Sequence, residues 1–197
     1  MVVRKNINFK KRYFIRIPKE VSVIHCDKKN ILYFSGPKGS KSLKLKLQVI
    51  VMPSLNLIMV SDAICGIGLE HLTKKKIKMR RGLAVAKIKQ ILIEITGTLY
   101  KKLNLVGVGY RAFPHERVPN QIYLKLGYSH PIYFNVPENL SVEINKFTKL
   151  SICGSGSVDL LTSTVSSIRR CKLPEPYKGK GVLYDQEKIT LKKGKKI

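Results

Sequence analysis

The hydrophobic period of this chain changes twice from strand-like to helix-like, and this constrains the fold more than any other feature. Val21–Cys26 and Ile31–Phe34 are short apolar, β-branched or aromatic segments, and the turn-prone residues 27–30 separate them. Residues 36–40 form a second turn. Leu43–Val49 alternates strictly and reads as one half-buried strand with a basic outer face, and Leu55–Val60 is another short strand. The spacing then becomes three and four. Leu83, Ala84, Ile88, Ile91, Leu92, Ile95 and Leu99 make one stripe of a helix over residues 81–97, with Lys87, Lys89, Gln90 and Glu94 off the stripe and Gly97 at its end. Strand-like sequence returns over Lys101–Ala112, Ile122–Gly127, Ile132–Val136, Val142–Ile144 and Leu150–Cys153. Ser157 is placed to cap a second helix over residues 157–171, with Val158, Leu161, Val165 and Ile168 on its apolar face. Pro174 and Pro176 forbid its continuation.

The two halves also share local sequence. IPKEVSV at residues 17–23 is echoed by VPENLSV at 136–142, and both run into a second strand ending in glycine, Gly36 and Gly154. The offset is 119 residues at Pro18/Pro137 and 118 at Gly36/Gly154. The fold class expected is α+β, a tandem duplication of a small domain in which one long helix covers an antiparallel sheet. The organisation is a basic arm (residues 1–16), a first α+β domain (17–100), a second (101–173) and a basic tail (174–197).

Charge narrows the function. Lys and Arg total 38 against 12 Asp and Glu, a formal +26 that would repel itself in a compact monomer. A polyanion is the expected partner: nucleic acid first, an anionic membrane surface second, an acidic protein third. The 44% hydrophobic content is enough for a packed core. No apolar run approaches the roughly 18–20 residues needed to span a bilayer; the densest, Val49–Val60, is broken by Pro53, Ser54 and Asn56. The basic first residues lack the apolar block of a secretory signal. They read as part of the domain approach, with a short organellar presequence as the alternative.

Catalytic constellations are scarce. The acids are scattered, GIGLEH at 66–71 ends in His where a dinucleotide loop needs Gly, and GPKGS at 36–40 is too short for a phosphate loop. Gly107 and Gly109 fall inside a strand pattern and read as a bulge or a close backbone approach. Cys26, Cys65, Cys153 and Cys171 lack zinc-ligand spacing, so neither zinc nor a disulfide is expected, and no cofactor.

Three basic clusters remain: the arm, the run Lys74–Arg81 ahead of the first helix, and the last thirty residues, which carry a net +7. In the last lies PEPYKGKG, residues 174–181. Two prolines hold a chain extended. Gly179 and Gly181 let bare backbone approach a surface, and Tyr177, Lys178 and Lys180 offer a ring face and phosphate contacts. These are the features of an RNA contact.

With Val182 and a tail ending in KKGKK, this segment resembles the C-terminal hallmark of the large-subunit ribosomal protein six family, in its bacterial and organellar form. KLNLVGVGYRA at 102–112 resembles the family's central strand, and LGYSHP at 126–131 and SGPKG at 35–39 are similar to its bacterial-type motifs. The resemblance spans residues 16–197 and is strongest from Lys101 onward. It implies a duplicated α+β fold and a structural rRNA binder near the stalk base and the sarcin–ricin loop, not an enzyme. It implies large-subunit rRNA and neighbouring large-subunit ribosomal proteins as partners, translational GTPases nearby, no membrane and no homo-oligomer. Carried onto this sequence, the rRNA contact falls on Tyr177, Lys178, Gly179, Lys180 and Gly181, with Arg169 and Arg170 beside them. It extends to Lys101, Lys102, Arg111 and the tail lysines Lys192, Lys193, Lys195 and Lys196.

The arm before Ile17 is longer than is usual for the bacterial form, and residues 62–82 match it poorly. Usage is biased to Lys, Ile and Asn. Bacterial-type motifs with that bias point to a mitochondrial ribosome, with a plastid or an AT-rich bacterium as alternatives. The competing functions are a free-standing basic nucleic-acid binder and a small phosphate-substrate enzyme.

Overall fold

The computed structural model describes residues 13–64, 74–118, 120–154 and 156–194. Residues 1–12 of the basic arm, Cys65, His71, Lys195 and Lys196 lie outside them. The chain divides into two compact units, Met1–Gly97 and Thr98–Ile197.

In the first unit the elements are β1 (Phe14–Arg16), β2 (Ser22–Cys26), β3 (Ile31–Gly36), β4 (Gly39–Lys44), β5 (Leu47–Met52), β6 (Leu57–Ile64) and α1 (Lys74–Thr96). They make two antiparallel sheets, β2-β3-β4 and β1-β6-β5. The inward alternation of Leu32 and Phe34 on β3, Leu47 and Val49 on β5, and Ile58 and Val60 on β6 meets Ala84, Ile88, Leu92 and Ile95 of α1 in one core.

The second unit comprises β7 (Leu99–Val106), β8 (Arg111–Pro114), β9 (Gln121–Lys125), β10 (Ile132–Asn135), β11 (Leu140–Lys146), β12 (Lys149–Gly154), α2 (Val158–Arg170) and β13 (Gly181–Tyr184). Its sheets are β10-β9-β8 and β11-β12-β7-β13. Ser157 caps α2 by accepting from the Leu160 N–H, as its sequence position suggested, and Leu161, Val165 and Ile168 enter the core.

Both units follow one order: a strand, a three-stranded meander, a hairpin, a helix. The second hairpin strand pairs back to the opening strand in each, β6 with β1 and β12 with β7. The fold is therefore the duplicated α+β expected, but the sequence echo aligned the wrong elements. IPKEVSV leads into β2, the first strand of a meander, whereas VPENLSV leads into β11, the first strand of the hairpin. Period-two patterning after a proline recurs at any short strand, so it carries little information about which strand it is.

Other expectations need correction. Leu43–Val49 is not one strand: it breaks at Leu45 and Lys46 between β4 and β5, which belong to different sheets. Buried Asn30 holds that corner, donating from Nδ2 to the Leu45 and Leu47 carbonyls at 2.7 and 2.8 Å. Carbonyls leaving one ladder for another need such partners. Lys101–Ala112 likewise breaks between β7 and β8, through Gly107 (φ +154) and Gly109 (φ +75). A Cβ on Gly107 would lie 2.8 Å from the Tyr110 ring, so the close approach is real but the position is a turn.

Helix α1 begins at Lys74, not residue 81. Lys, Arg and Met are good helix formers, so the basic run makes the first turns of the helix. Leu83, one step of about 100° from Ala84 around the helix, is 58% exposed. Glu94, expected off the apolar stripe, is buried and ion-paired with Lys41 Nζ at 2.6 Å while Gln90 donates to it at 3.1 Å. The off-stripe position is enclosed because β4 passes over it, which a helical wheel does not record.

Two glycines test this packing in opposite directions. A Cβ on Gly36 would collide with the fully buried Ile95 side chain, whereas Gly82, inside α1, faces open space. In chemical denaturation, Gly36→Ala is expected to lose about 1–3 kcal/mol through overpacking. Gly82→Ala is expected to gain roughly 0.5–1 kcal/mol through reduced backbone entropy.

Candidate nucleic-acid interface

The PEPYKGKG segment connects α2 to β13, and both ends are fixed by backbone pairing. After the helix, the Val182 N–H donates to the Lys172 carbonyl at 3.0 Å, and β13 then runs antiparallel to β7. Between these points the chain closes on itself: the Glu175 N–H donates to the Lys180 carbonyl and the Gly179 N–H to the Glu175 carbonyl, each at 2.9 Å. The segment is therefore a compact turn over Pro176–Lys178, not an extended arm. Proline fixes φ at a value that serves turns as well as extended chain, and here the internal bonds decide.

The two glycines have different reasons. Gly179 sits at φ +69, in the left-handed region that closes the turn. Gly181 has φ +153, and a Cβ there would lie 2.6 Å from the Pro174 Cα. Gly181 is buried against the protein's own backbone, so the fold by itself requires its bareness. Tyr177 and Lys178 are exposed at the tip.

The tail is not a free extension either. Residues 181–184 are β13, a strand of the four-stranded sheet, and farther on the Lys192 N–H donates to the Pro176 carbonyl at 2.9 Å. This brings exposed Lys192 to the loop, with Lys193 next to it.

Beside the loop, Arg170 and Lys180 line one groove together with Tyr110, Tyr128, Lys172 and Leu173. Tyr128 and Lys172 are members that the sequence reading missed. Tyr128 donates its hydroxyl to the Cys171 carbonyl at 3.0 Å, and the Lys172 ammonium lies 4.3 Å from the centre of its ring. The signal was present in LGYSHP, whose Tyr128 had been read only as a resemblance.

Not all the candidates converge. Arg169 is half-buried, bonded to Glu187 at 2.7 Å and stacked 4.8 Å over Tyr184. It stabilises the return of the chain to β13. Lys101 lines a shallow groove along α2 with Asp159, Thr162, Ser163 and Ser166. Lys102 falls on the opposite face of β7, since neighbouring strand residues alternate. Arg111 shares a different groove with Lys146 and Phe147. In the first unit, Arg81 of the basic run is also occupied: it donates twice to the Val60 carbonyl and lies 3.7 Å over the Tyr13 ring. Burial lowers its pKa, with Tyr13 opposing that shift.

Cys26, Cys153 and Cys171 are free thiols, and burial pushes the Cys171 pKa up, away from a reactive thiolate. Among the described residues no group of three or more His, Cys, Asp or Glu could hold a metal, and no helix is long and apolar enough to cross a membrane.

Gly181→Ala is therefore expected to lower the melting temperature of the RNA-free protein, with a loss of about 1–3 kcal/mol, because its methyl meets backbone that cannot move aside. An unchanged melting temperature would return Gly181 to a role at the RNA surface.

Comparison with known proteins gives a consistent picture. Residues 106–185 match the family model described as ribosomal protein L6. The chain is 39% identical over 183 residues to the large ribosomal subunit protein uL6 of Mycoplasmoides gallisepticum, covering 92% of each chain. It is 38% identical over 181 residues to that of Geotalea uraniireducens, covering 92% of this chain and 93% of the relative. It is 36% identical over 178 residues to that of Mycoplasma genitalium, covering 90% of each.

Proposed function

The chain belongs to the ribosomal protein L6 family, and from that premise we propose that it is a non-enzymatic structural constituent of the large ribosomal subunit that binds rRNA through the α2–β13 loop. The observation that carries this reading is the loop itself. A closed, backbone-bonded turn presents Tyr177 and Lys178 to solvent, and Arg170, Lys172 and Lys180 outnumber the one carboxylate, Glu175, in the groove beside it. Phosphate contacts of this kind position a protein on RNA, while the exposed tyrosine ring can stack on an unpaired base. Lys192 and Lys193, held beside the loop by the Pro176 bond, extend the same surface.

The finer placement follows from the family resemblance. The loop docks near the stalk base and the sarcin–ricin loop and supports the region where translational GTPases bind, with other large-subunit proteins as neighbours and one copy of this chain per subunit. The home is a mitochondrial ribosome. The bias to Lys, Ile and Asn supports that reading, and the bacterial source of the relatives fits the bacterial type of the motifs.

Each phosphate neutralised on a single strand contributes about 0.7 to the slope of log affinity against log salt. Changing Lys178 and Lys180 to Glu together is expected to weaken binding to the cognate rRNA fragment and to flatten that slope. Undiminished affinity and subunit assembly would move the contact elsewhere on the molecule. For the location, organelle fractionation should recover the protein with mitochondrial ribosomes. Recovery with plastid or cytosolic ribosomes alone would overturn the assignment and leave the family unchanged.

A further inference from the structure

The outward face of the β8-β9-β10 sheet has no part in the loop just described, yet it is built unlike an ordinary solvated surface. Alternation turns Ala112, Ile122 and Leu124 into the core and leaves Phe113, Tyr123 and Tyr133 outside. The strand register places these three side by side, Phe113 opposite Tyr123 and Tyr123 opposite Tyr133. Phe113 and Tyr123 stack at 5.0 Å and 17°, and Tyr123 meets Tyr133 at 6.3 Å. Phe147, in the turn between β11 and β12, continues the row 5.1 Å from Phe113 and is anchored there by the Ala112 N–H donating to its carbonyl at 2.7 Å.

His115 meets Tyr133 edge-on, with 5.9 Å between the rings and 67° between their planes, and both ends of the row still reach solvent. The inner rings cover each other, whereas Tyr133 is 57% and Phe147 56% exposed. Four aromatic side chains in one outward row are costly to leave in water and add a specific geometry that invites another flat ring.

Charge identifies that ring's owner. Arg111 and Lys125 are directly opposite each other across β8 and β9, on the same face as the rings. Like charges at opposed positions repel, and no acid occurs in any of the three strands to relieve them. Lys146 adds a third cation in the groove shared by Arg111 and Phe147. A ligand that brings flat rings and anions together at short spacing satisfies both features.

We propose that this face is a second RNA-binding surface, specific for unpaired nucleotides, in which bases extend the stack at Tyr133 and Phe147 and phosphates lie on Arg111, Lys125 and Lys146. An acidic polypeptide would answer the charges but would leave the open ring faces unmatched. Paired RNA would answer the charges too, with its bases hidden.

The test uses the full chain and a short unstructured RNA oligonucleotide, with a duplex of the same length as the comparison. Base–aromatic stacking makes each ring worth about tenfold in affinity. Tyr133→Ala and Phe147→Ala are therefore each expected to weaken single-strand binding by about tenfold, to leave the salt slope unchanged because no cation is removed, and to leave duplex binding unchanged. Tyr133→Phe should retain the affinity. Both side chains are more than half exposed, and circular dichroism melting confirms that the variants fold. The same losses should appear in the chain carrying Lys178→Glu and Lys180→Glu, so that failure of the loop reading and failure of this one are told apart. Unchanged single-strand affinity in the alanine variants, or an equal loss for the duplex, would overturn the proposal. Ring-dependent binding of polyglutamate in place of RNA would overturn it as well and assign the face to a protein.

Discussion

The antiparallel pairing of β13 with β7 is the interaction on which the second unit depends. After α2 the chain has to come back to the sheet, and Val182, wholly buried beside Leu103 and Leu105, pulls it there. Burying one such side chain contributes about 1.5–3 kcal/mol. The return fixes both ends of the intervening segment, so residues 171–181 close into a turn instead of trailing into solvent. Arg169 on Glu187 and Tyr184 braces the same return. Gly181 is where the geometry is tightest, because the chain must pass Pro174 before it can join the ladder.

The same constraint explains how a very cationic chain divides its charges. Some cations are spent on the fold: Arg169 on β13, Arg81 on the Val60 carbonyl, Lys41 on buried Glu94. Others stand on surface grooves and sheet faces, some of them beside aromatic rings. Arg170, Lys172 and Lys180 gather around the loop, and Arg111 and Lys125 oppose each other beside a row of rings. A count of positive charge does not separate these groups. Among the described residues, the second group is gathered into small patches, the arrangement that the proposed RNA contacts use.

The duplication shows how local and global information part company. Both units have the same strand order, and the helical stripe of α2, its Ser157 cap and its stop before Pro174 were legible because each depends on residues within one or two turns. The correspondence between copies was not legible. IPKEVSV and VPENLSV look alike because both enter a strand past a proline, yet one opens a meander and the other a hairpin. Likewise Leu43–Val49 alternates without interruption, and nothing local marks the corner where Asn30 reaches in from fifteen residues away to hold the Leu45 carbonyl.

The sequence by itself determined the apolar stripes of both helices, the fold class and the family, and it marked the basic loop as a candidate contact. Spacing, capping residues and the PEPYKGKG motif are properties of short segments, and a short segment carries them wherever it goes. Tertiary structure decided everything that depends on two distant segments meeting. It made Glu94 a buried ion-pair partner by laying β4 over an otherwise exposed helix position. It made Gly181 a packing requirement, tied half-buried Arg169 to Glu187 and Tyr184, and brought Lys172 and Tyr128 into the groove. It also aligned Phe113, Tyr123 and Tyr133 across three strands, since ring-to-ring distance is set by strand register, and register is fixed only when the sheet assembles.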